Sequence, residues 1–417
     1  MQLSIPHEHY RLDNGLDVIL LHDPSLPQVV VNLWVDVGSK NEVEGRTGFA
    51  HLFEHLMFMG TDRVPGSGFD DAMEAHGGWN NAWTSEDATD YYEVGPSNLL
   101  ETLLWLEADR LASLGTDMTQ QKLDLQRDVV RNERRQSYEN APYGKLWLEL
   151  PEAMYAADHP YGHPVIGSHE DILAAGVPDV REFFSTWYVP NNASLVVAGD
   201  FDPGTVQGTI QRLFGHLQAR DVPTMADVPP CDGPARKRVE VPDKVQVPLG
   251  VLAWHSPATL AEGDAELDLA ASILAGGRAS RLYRRLVDGG LALEVDASQL
   301  SQRLTSLFLI DFKPCDGVSL DTLEAAVFEE LVALAHEGPT DAELERVRNQ
   351  YEVRFLHQLE SLHSRASALN RYNTLLGQPD FLEQDLARYR QATTEGVRYA
   401  ASLLTAERAC SLRVVPE

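Results

Sequence analysis

Short apolar runs and longer helical stretches alternate along the first two hundred residues. Two apolar runs separated by Pro24 and Pro27 predict strands, and residues 47–59 then follow the helical period. The further predicted elements are a strand at 81–94 after a glycine-pair turn, an amphipathic helix at about 97–113, a charge-rich helix at about 118–139, and a short buried strand at 193–199. This mixture of periods predicts an α+β domain.

The second half of the chain repeats this order after a proline-rich segment. Its predicted elements are a strand near 247–254, a helix at 264–275, a glycine pair at 276–277, strands near 292–298 and 305–313, and a helix at 319–337. Because the same order occurs twice, we interpret the chain as two homologous α+β domains produced by internal duplication. The predicted boundaries are an N-terminal domain at 1–215, a linker at 216–245 and a C-terminal homologous domain at 246–417.

Charge and composition narrow the classes of partner. The 417 residues include 34 Lys and Arg against 63 Asp and Glu, a net charge of −29. So acidic a chain is a poor ligand for nucleic acid or anionic membranes, and no apolar run approaches the roughly 20 residues of a membrane span. Three isolated cysteines, Cys231, Cys315 and Cys410, favour a reducing compartment. With no signal-like N-terminus, we expect a cytoplasmic protein, or a periplasmic one if a signal peptide was removed.

A histidine pair in the first predicted helix carries the chemistry. His51 and His55 are four residues apart, so both imidazoles lie on one helical face and can bind one cation. Glu54 lies beside them, where its carboxylate can take a proton from water activated by the metal. The spacing His-x-x-Glu-His inverts the His-Glu-x-x-His motif of zinc peptidases. It therefore predicts a zinc-dependent hydrolase.

Two histidines are too few for a catalytic zinc site, which normally has three protein ligands. The predicted helix at 118–139 offers three acidic candidates for the third ligand: Asp128, Glu133 and Glu139. Spacing along the chain does not decide among them.

Several motifs together resemble the M16 or pitrilysin-type inverzincin metallopeptidases. They lie at 48–61, 77–84, 129–133, 159–162, 188–192 and 276–283. The sequence is most similar to the short-chain subgroup that includes the beta subunits of mitochondrial processing peptidases and their bacterial relatives. The resemblance covers nearly the whole chain and implies one half of an M16 clam shell.

The resemblance also implies roles for individual residues. It assigns one Zn²⁺ ion per chain to His51, His55 and Glu133, with Glu54 as the general base. A segment that resembles an edge strand would pair with an extended peptide substrate through its backbone; its residues are Asn80, Asn81, Ala82, Trp83 and Thr84. An ordinary strand after a glycine turn is an equally good interpretation of this segment. Gln126 stands where relatives often carry a further glutamate.

The second half departs from the pattern of catalytic members. Val287 and Leu293 occupy the positions of an arginine and a tyrosine that contact substrate in those members. We therefore expect the chain to be the catalytic subunit of a heterodimer, with a homologous M16 subunit supplying the Arg/Tyr pair. The expected function is that of a zinc endopeptidase or oligopeptidase that cleaves peptides or small unfolded polypeptides in a closed chamber. The alternative is a non-catalytic assembly subunit, like the respiratory core proteins of the same fold.

Overall fold

A computed structural model describes residues 3–225, 227–231 and 233–417. Helices and strands alternate through both halves and the strands form two separate sheets, which confirms the predicted α+β fold class. Among the described residues, no helix is both long and apolar enough to cross a bilayer.

The elements are numbered in chain order. The strands are β1 (Glu8–Arg11), β2 (Asp17–His22), β3 (Gln28–Val35), β4 (Trp79–Thr84), β5 (Thr89–Pro96), β6 (Ala193–Gly199), β7 (Arg238–Asp243), β8 (Leu249–Ser256), β9 (Ala292–Leu300), β10 (Ser306–Pro314) and β11 (Cys410–Pro416). The α-helices are α1 (Phe49–Leu56), α2 (Gly68–Glu74), α3 (Leu100–Asp117), α4 (Gln120–Arg134), α5 (Lys145–Met154), α6 (His169–Ala174), α7 (Val177–Trp187), α8 (Pro203–Phe214), α9 (Asp264–Ala275), α10 (Leu320–Glu337), α11 (Asp341–Gln358), α12 (Leu362–Leu376), α13 (Leu382–Gln391) and α14 (Thr394–Ala401).

The two sheets share one topology. The first has the order β1-β2-β6-β3-β5-β4 and the second the order β7-β11-β8-β10-β9. When β1 is set aside, each sheet places its five strands in the order first, fifth, second, fourth, third. The parallel pair is also equivalent, β2 with β6 and β7 with β11, and all other pairs are antiparallel. This shared order supports the duplication that the sequence pattern suggests.

Two compact units are present, and neither is continuous in sequence. The first comprises residues 3–132, 165–225 and 357–383, and the second comprises 133–164, 227–231, 233–356 and 384–417. Each unit therefore includes a segment from the other half of the chain. The predicted boundaries at 215 and 246 stay a prediction about the duplicated halves; β7, in the second sheet, lies inside the segment predicted as a linker.

Helices α12 and α5 are the exchanged elements. In the first unit α12 packs on β3 and β6, and Asn370 donates hydrogen bonds to the carbonyl (2.9 Å) and side chain (2.7 Å) of Asn32. In the second unit α5 buries Leu146 and Leu150 in a core built on β8, β10 and β11. Buried Ala366, Leu369 and Tyr372 pack α12 on its sheet beside these polar contacts, whereas apolar burial dominates the docking of α5.

The predicted strand at 81–94 is wrong in one respect, because it is a hairpin of β4 and β5. The Ser85 N–H donates to the Ala88 carbonyl (2.9 Å), and the Ser85 hydroxyl accepts the Asp87 and Ala88 N–H groups, both at 3.1 Å. A serine that satisfies backbone donors locally turns the chain here. The hairpin puts β4 at the edge of the first sheet.

Candidate metal centre

Helix α1 is built by one apolar face and carries its polar residues on the other. Its buried apolar residues follow the i, i+3, i+4, i+7 period; they are Phe49, Leu52, Phe53 and Leu56. His51, Glu54 and His55 are only partly buried. The two imidazole rings lie 4.8 Å apart between centroids, nearly perpendicular to each other. Packing of the apolar face therefore turns both histidines and Glu54 away from the core.

The start of α1 is fixed by backbone geometry and by a carboxylate. Gly48 precedes the helix with φ of 85°, and a Cβ added to Gly167 would lie 2.4 Å from the Gly48 backbone. Only glycines allow these two segments to approach so closely. Glu42 accepts the N–H groups of Gly48 (2.8 Å) and Ala50 (2.7 Å), which satisfies two donors at the helix N-terminus. The orientation of the histidines thus depends also on Glu42 and Gly167, which sequence reasoning missed.

Glu133 meets the two histidines from α4. One nitrogen of His51, one nitrogen of His55 and one carboxylate oxygen of Glu133 all lie within 4.8 Å of one another. The division between the compact units falls in the last turn of α4, so residues 120–132 of this helix belong to the first unit. The helix that holds Glu133 is therefore anchored in the same unit as α1.

The other acidic candidates on this stretch face other partners. Asp128 is exposed and lies 3.6 Å from Arg131, one turn along α4. Glu139 accepts a hydrogen bond from Arg134 Nε at 3.0 Å, in a π-helical turn that spans Arg135–Glu139. Gln126 contacts the sulfur of Met59 through its amide. Of the three acidic candidates, the structure brings Glu133 to the histidine pair.

Glu54 is bonded to the edge strand. The Thr84 hydroxyl donates to Glu54 Oε2 at 2.6 Å, and Thr84 is the last residue of β4. On the same face of β4, the Asn80 amide donates to Asp70 of α2 at 2.9 Å. Since side chains alternate along a strand, Asn80, Ala82 and Thr84 share the face toward α1 and α2.

The opposite face of β4 carries Trp79, Asn81 and Trp83. Trp83 meets Trp34 of β3 edge to face, with 5.1 Å between ring centroids. Trp79 meets Tyr92 of β5 in the same manner at 5.6 Å. The predicted substrate residues 80–84 are therefore divided between two faces of one strand, and only one face adjoins the metal-ligand group.

A buried ion cluster supports the region behind α1. Arg110 of α3 donates to Glu93 of β5 (2.7 Å) and to Glu107, and all three side chains are buried. Its guanidinium lies 5.1 Å from the ring centre of Phe58, which follows α1, and 4.8 Å from that of Tyr91. Burial, followed by the nearby Glu107 carboxylate, raises the pKa of Glu93 well above its usual range. Arg110 is therefore the cation that makes two buried acids tolerable.

Val287 and Leu293, at the positions of the expected arginine and tyrosine, lie in apolar or exposed surroundings in the second unit. Val287 ends a π-helical turn, Tyr283–Val287, and packs against the core of the second unit. Leu293 lies in β9 and is 56 % exposed. Neither side chain has a polar atom to offer a substrate.

The donor set fits zinc. Two imidazole nitrogens and one carboxylate oxygen are a ligand set of catalytic zinc sites, where a fourth position remains for water or substrate. A cluster of oxygens alone would instead favour Mg²⁺ or Ca²⁺. Glu54 precedes His55 on α1 and is not one of the donors.

Family models match both halves of the chain. A model described as "Insulinase (Peptidase family M16)" matches residues 17–168, and one described as "Peptidase M16 inactive domain" matches residues 176–351. The first match contains His51, Glu54, His55 and Glu133.

Individual proteins match over most of their length. "Zinc protease PqqE" of Helicobacter pylori is 30 % identical over 388 residues, covering 91 % of this chain and 87 % of that protein. "Probable mitochondrial-processing peptidase subunit beta, mitochondrial" of Arabidopsis thaliana is 26 % identical over 377 residues, covering 86 % of this chain and 69 % of that protein. The crystal structure of a protease from Helicobacter pylori superposes with a TM-score of 0.89 at 26 % identity, covering 99 % of this chain and 100 % of that one.

Proposed function

Because the chain belongs to the M16 family of peptidases, whose relatives are named zinc proteases, we propose that it is a zinc-dependent endopeptidase or oligopeptidase. The observation that carries the proposal is the meeting of His51, His55 and Glu133, with Glu54 beside them. In this proposal the first three residues hold one Zn²⁺ ion and Glu54 is the general base. Family membership itself confirms the resemblance seen in the sequence.

Each residue of the group has a definite task. Zinc bound there would supply a Lewis acid that polarises a carbonyl and makes water acidic enough to deprotonate near neutral pH. The Glu54 carboxylate takes the proton from that water and delivers it to the leaving amine. The Thr84 hydroxyl holds Glu54 through its 2.6 Å hydrogen bond, which limits the directions in which the carboxylate can face.

Strand β4 is the proposed docking strand for the substrate. It is the last strand of its sheet and pairs only with β5 among the described residues. An extended peptide can hydrogen-bond to such an edge with little demand on its sequence. Because Thr84 ends β4 and contacts Glu54, a peptide paired with this edge would pass next to the proposed base.

We propose that the active enzyme has two subunits. Val287 and Leu293 cannot donate hydrogen bonds to a substrate, whereas a homologous subunit could supply an arginine and a tyrosine. The relative from Arabidopsis thaliana is itself named a subunit. The alternative role of a non-catalytic assembly subunit is less well supported, because the chain keeps a complete donor set and the carboxylate beside it.

Mixing the chain with its partner tests the two-subunit proposal. The purified chain alone should cleave a fluorogenic peptide slowly, and kcat/KM should rise tenfold or more when the homologous M16 subunit is added. The partner alone, which lacks the zinc motif, is the control and should be inactive. Full activity of the lone chain, unchanged by the partner, would refute the heterodimer.

Replacing Glu133 by glutamine should weaken zinc binding. An amide oxygen is a poorer zinc ligand than a carboxylate. We expect zinc affinity to fall by at least about 10–100-fold, the range for losing a residue that only hydrogen-bonds a ligand. Competition with a zinc-binding dye measures the dissociation constant directly. Glu139→Gln changes a nearby acid that pairs with Arg134, and it should bind zinc as the unmodified chain does. Equal affinities for the two variants would remove Glu133 from the ligand set.

Replacing Thr84 by valine should lower kcat about 10–100-fold and leave KM nearly unchanged, since one hydrogen bond to a charged group is worth about 1.5–3 kcal/mol. Valine keeps the shape of the side chain but cannot donate to Glu54. Thr84→Ser restores the hydroxyl and should recover most of the rate. Steady-state kinetics on one peptide compare the three proteins. A serine variant as slow as the valine variant would show that Thr84 acts through packing.

A further inference from the structure

Two tryptophans are exposed beside the proposed docking edge, on the face of β4 that turns away from the metal ligands. Trp79 is 50 % exposed and Trp83 is 36 % exposed. Helix α12 covers β3 and β6 on this side of the sheet, and β4 lies beyond them at the edge. Large aromatic side chains normally bury most of their area, so two of them along one strand edge call for an explanation.

Aromatic neighbours hold the rings of Trp79 and Trp83 in place. Trp83 packs edge to face on the ring of Trp34, with 5.1 Å between the ring centroids. Trp79 contacts the rings of Tyr92 (5.6 Å) and His363 (6.4 Å), and His363 in turn lies 3.9 Å from Tyr92. The exposed surfaces therefore belong to preorganised rings that lose little conformational freedom when something packs on them.

A strand added at the β4 edge would have side chains on both faces. Those directed like Asn80, Ala82 and Thr84 would face the metal-ligand group, and those between them would face the tryptophans. Cross-strand neighbours lie about 4.5–5.5 Å apart, close enough for direct contact. Trp79 and Trp83 are four residues apart, so the substrate residues beside them would also be four apart.

We propose that Trp79 and Trp83 select peptides with bulky apolar side chains, aromatic ones above all, at two positions four residues apart. This inference rests on the proposed function, because it assumes that β4 is the docking strand. It adds a preference for substrate side chains on the face of β4 that points away from the metal-ligand group. Trp83, one residue from Thr84, contacts the substrate side chain nearer the cleaved bond, and Trp79 contacts the one farther away.

A positional series of peptides tests the preference. Starting from one cleaved peptide, each position in turn carries Phe or Ala, and kcat/KM is measured with the complete enzyme, including its partner subunit where activity requires it. We expect a Phe/Ala ratio of tenfold or more at two positions four apart. Trp83→Ala should abolish the ratio at one position and Trp79→Ala at the other. Trp83→Phe keeps a ring without the N–H group and should keep the preference.

The matched control is Trp105→Ala on α3, a similarly exposed tryptophan (38 %) elsewhere in the first unit. It should retain both preferences. Identical ratios in the Trp83→Ala variant, the Trp79→Ala variant and the unmodified enzyme would overturn the inference. Equal zinc content and circular dichroism among the variants show that each is folded.

Peptide affinities of variants that cannot cleave test this inference independently of the proposed function. The Glu54→Gln variant should bind the same peptides without cleaving them, and fluorescence anisotropy gives their affinities. A Phe preference that is lost in the double variants Glu54→Gln/Trp83→Ala and Glu54→Gln/Trp79→Ala supports the inference even if the unmodified enzyme cleaves nothing. Tight binding with no side-chain preference would refute the inference and leave the peptidase function standing.

Discussion

Replacing Glu54 by glutamine is expected to abolish peptide hydrolysis while the protein keeps its zinc. General acid–base catalysis contributes about 10²–10⁴-fold to rate, and glutamine cannot take a proton from water at neutral pH. Glutamine has nearly the same shape, and its carbonyl oxygen can still accept the Thr84 hydrogen bond. The expected result is therefore a fall in kcat of at least about 100-fold, with zinc content measured by mass spectrometry unchanged at one ion per chain.

Glu74→Gln is the matched control for this substitution. Glu74 is an exposed glutamate at the end of α2, in the same unit, and it is not one of the metal-ligand group. Its loss should leave both the rate and the zinc content within error of the unmodified protein. A Glu54→Gln variant that still cleaves at the original rate would exclude Glu54 as the base. It would not exclude the zinc site, because the metal is measured separately.

Replacing Arg110 by methionine should destabilise the first unit by about 3–5 kcal/mol, the range for removing one partner of a buried ion pair. The loss leaves Glu93 and Glu107 buried without their cation. Methionine retains much of the side-chain volume, so the effect is chiefly electrostatic. Urea unfolding followed by tryptophan fluorescence measures the change in midpoint, and a chain of two units calls for a check that the transition remains single.

The exposed pair Arg212 and Glu101 provides the comparison. Their side chains are 58 % and 72 % exposed, and Arg212→Met should cost less than about 1 kcal/mol. The deficit of Arg110→Met should also shrink as the pH falls from 8 to 5. Arg110 opposes the burial that raises the pKa of Glu93, so its removal raises that pKa further. The folded variant therefore binds a proton at pH values where the unmodified protein does not, and its stability relative to that protein grows toward acid. A deficit independent of pH would point to packing instead.

The motif residues of the site were easier to predict from sequence than the contacts that position them. Spacing alone placed His51, Glu54 and His55 on one helical face, because a helix converts sequence distance into direction. Glu133 required the family resemblance, since three acids on one predicted helix were equally available until the packing of α4 was known. The bond from Thr84 to Glu54 joins a strand and a helix 30 residues apart, and periodicity carries no information about such contacts.

Local elements were predicted well where one period dominates. The strand predicted at 193–199 and the helix predicted at 264–275 match β6 and α9 residue for residue. The turn at Ser85 was missed, because the connecting residues 85–88 contain no glycine or proline, which are stronger turn signals. The exchange of α5 and α12 lies outside what periodicity can show, because an amphipathic helix reveals that it packs but not against which sheet.

The exchange of α5 and α12 also bears on biosynthesis. The first sheet receives its covering helix from residues 362–376, so one face stays uncovered until the ribosome has made most of the second repeat. At about 5–20 residues per second this interval lasts on the order of ten seconds or more. During it, the face of β3 and β6 that α12 covers in the folded protein is exposed to solvent. The two repeats are thus obliged to mature together, and a fragment that ends after the first repeat should aggregate despite containing all its zinc ligands.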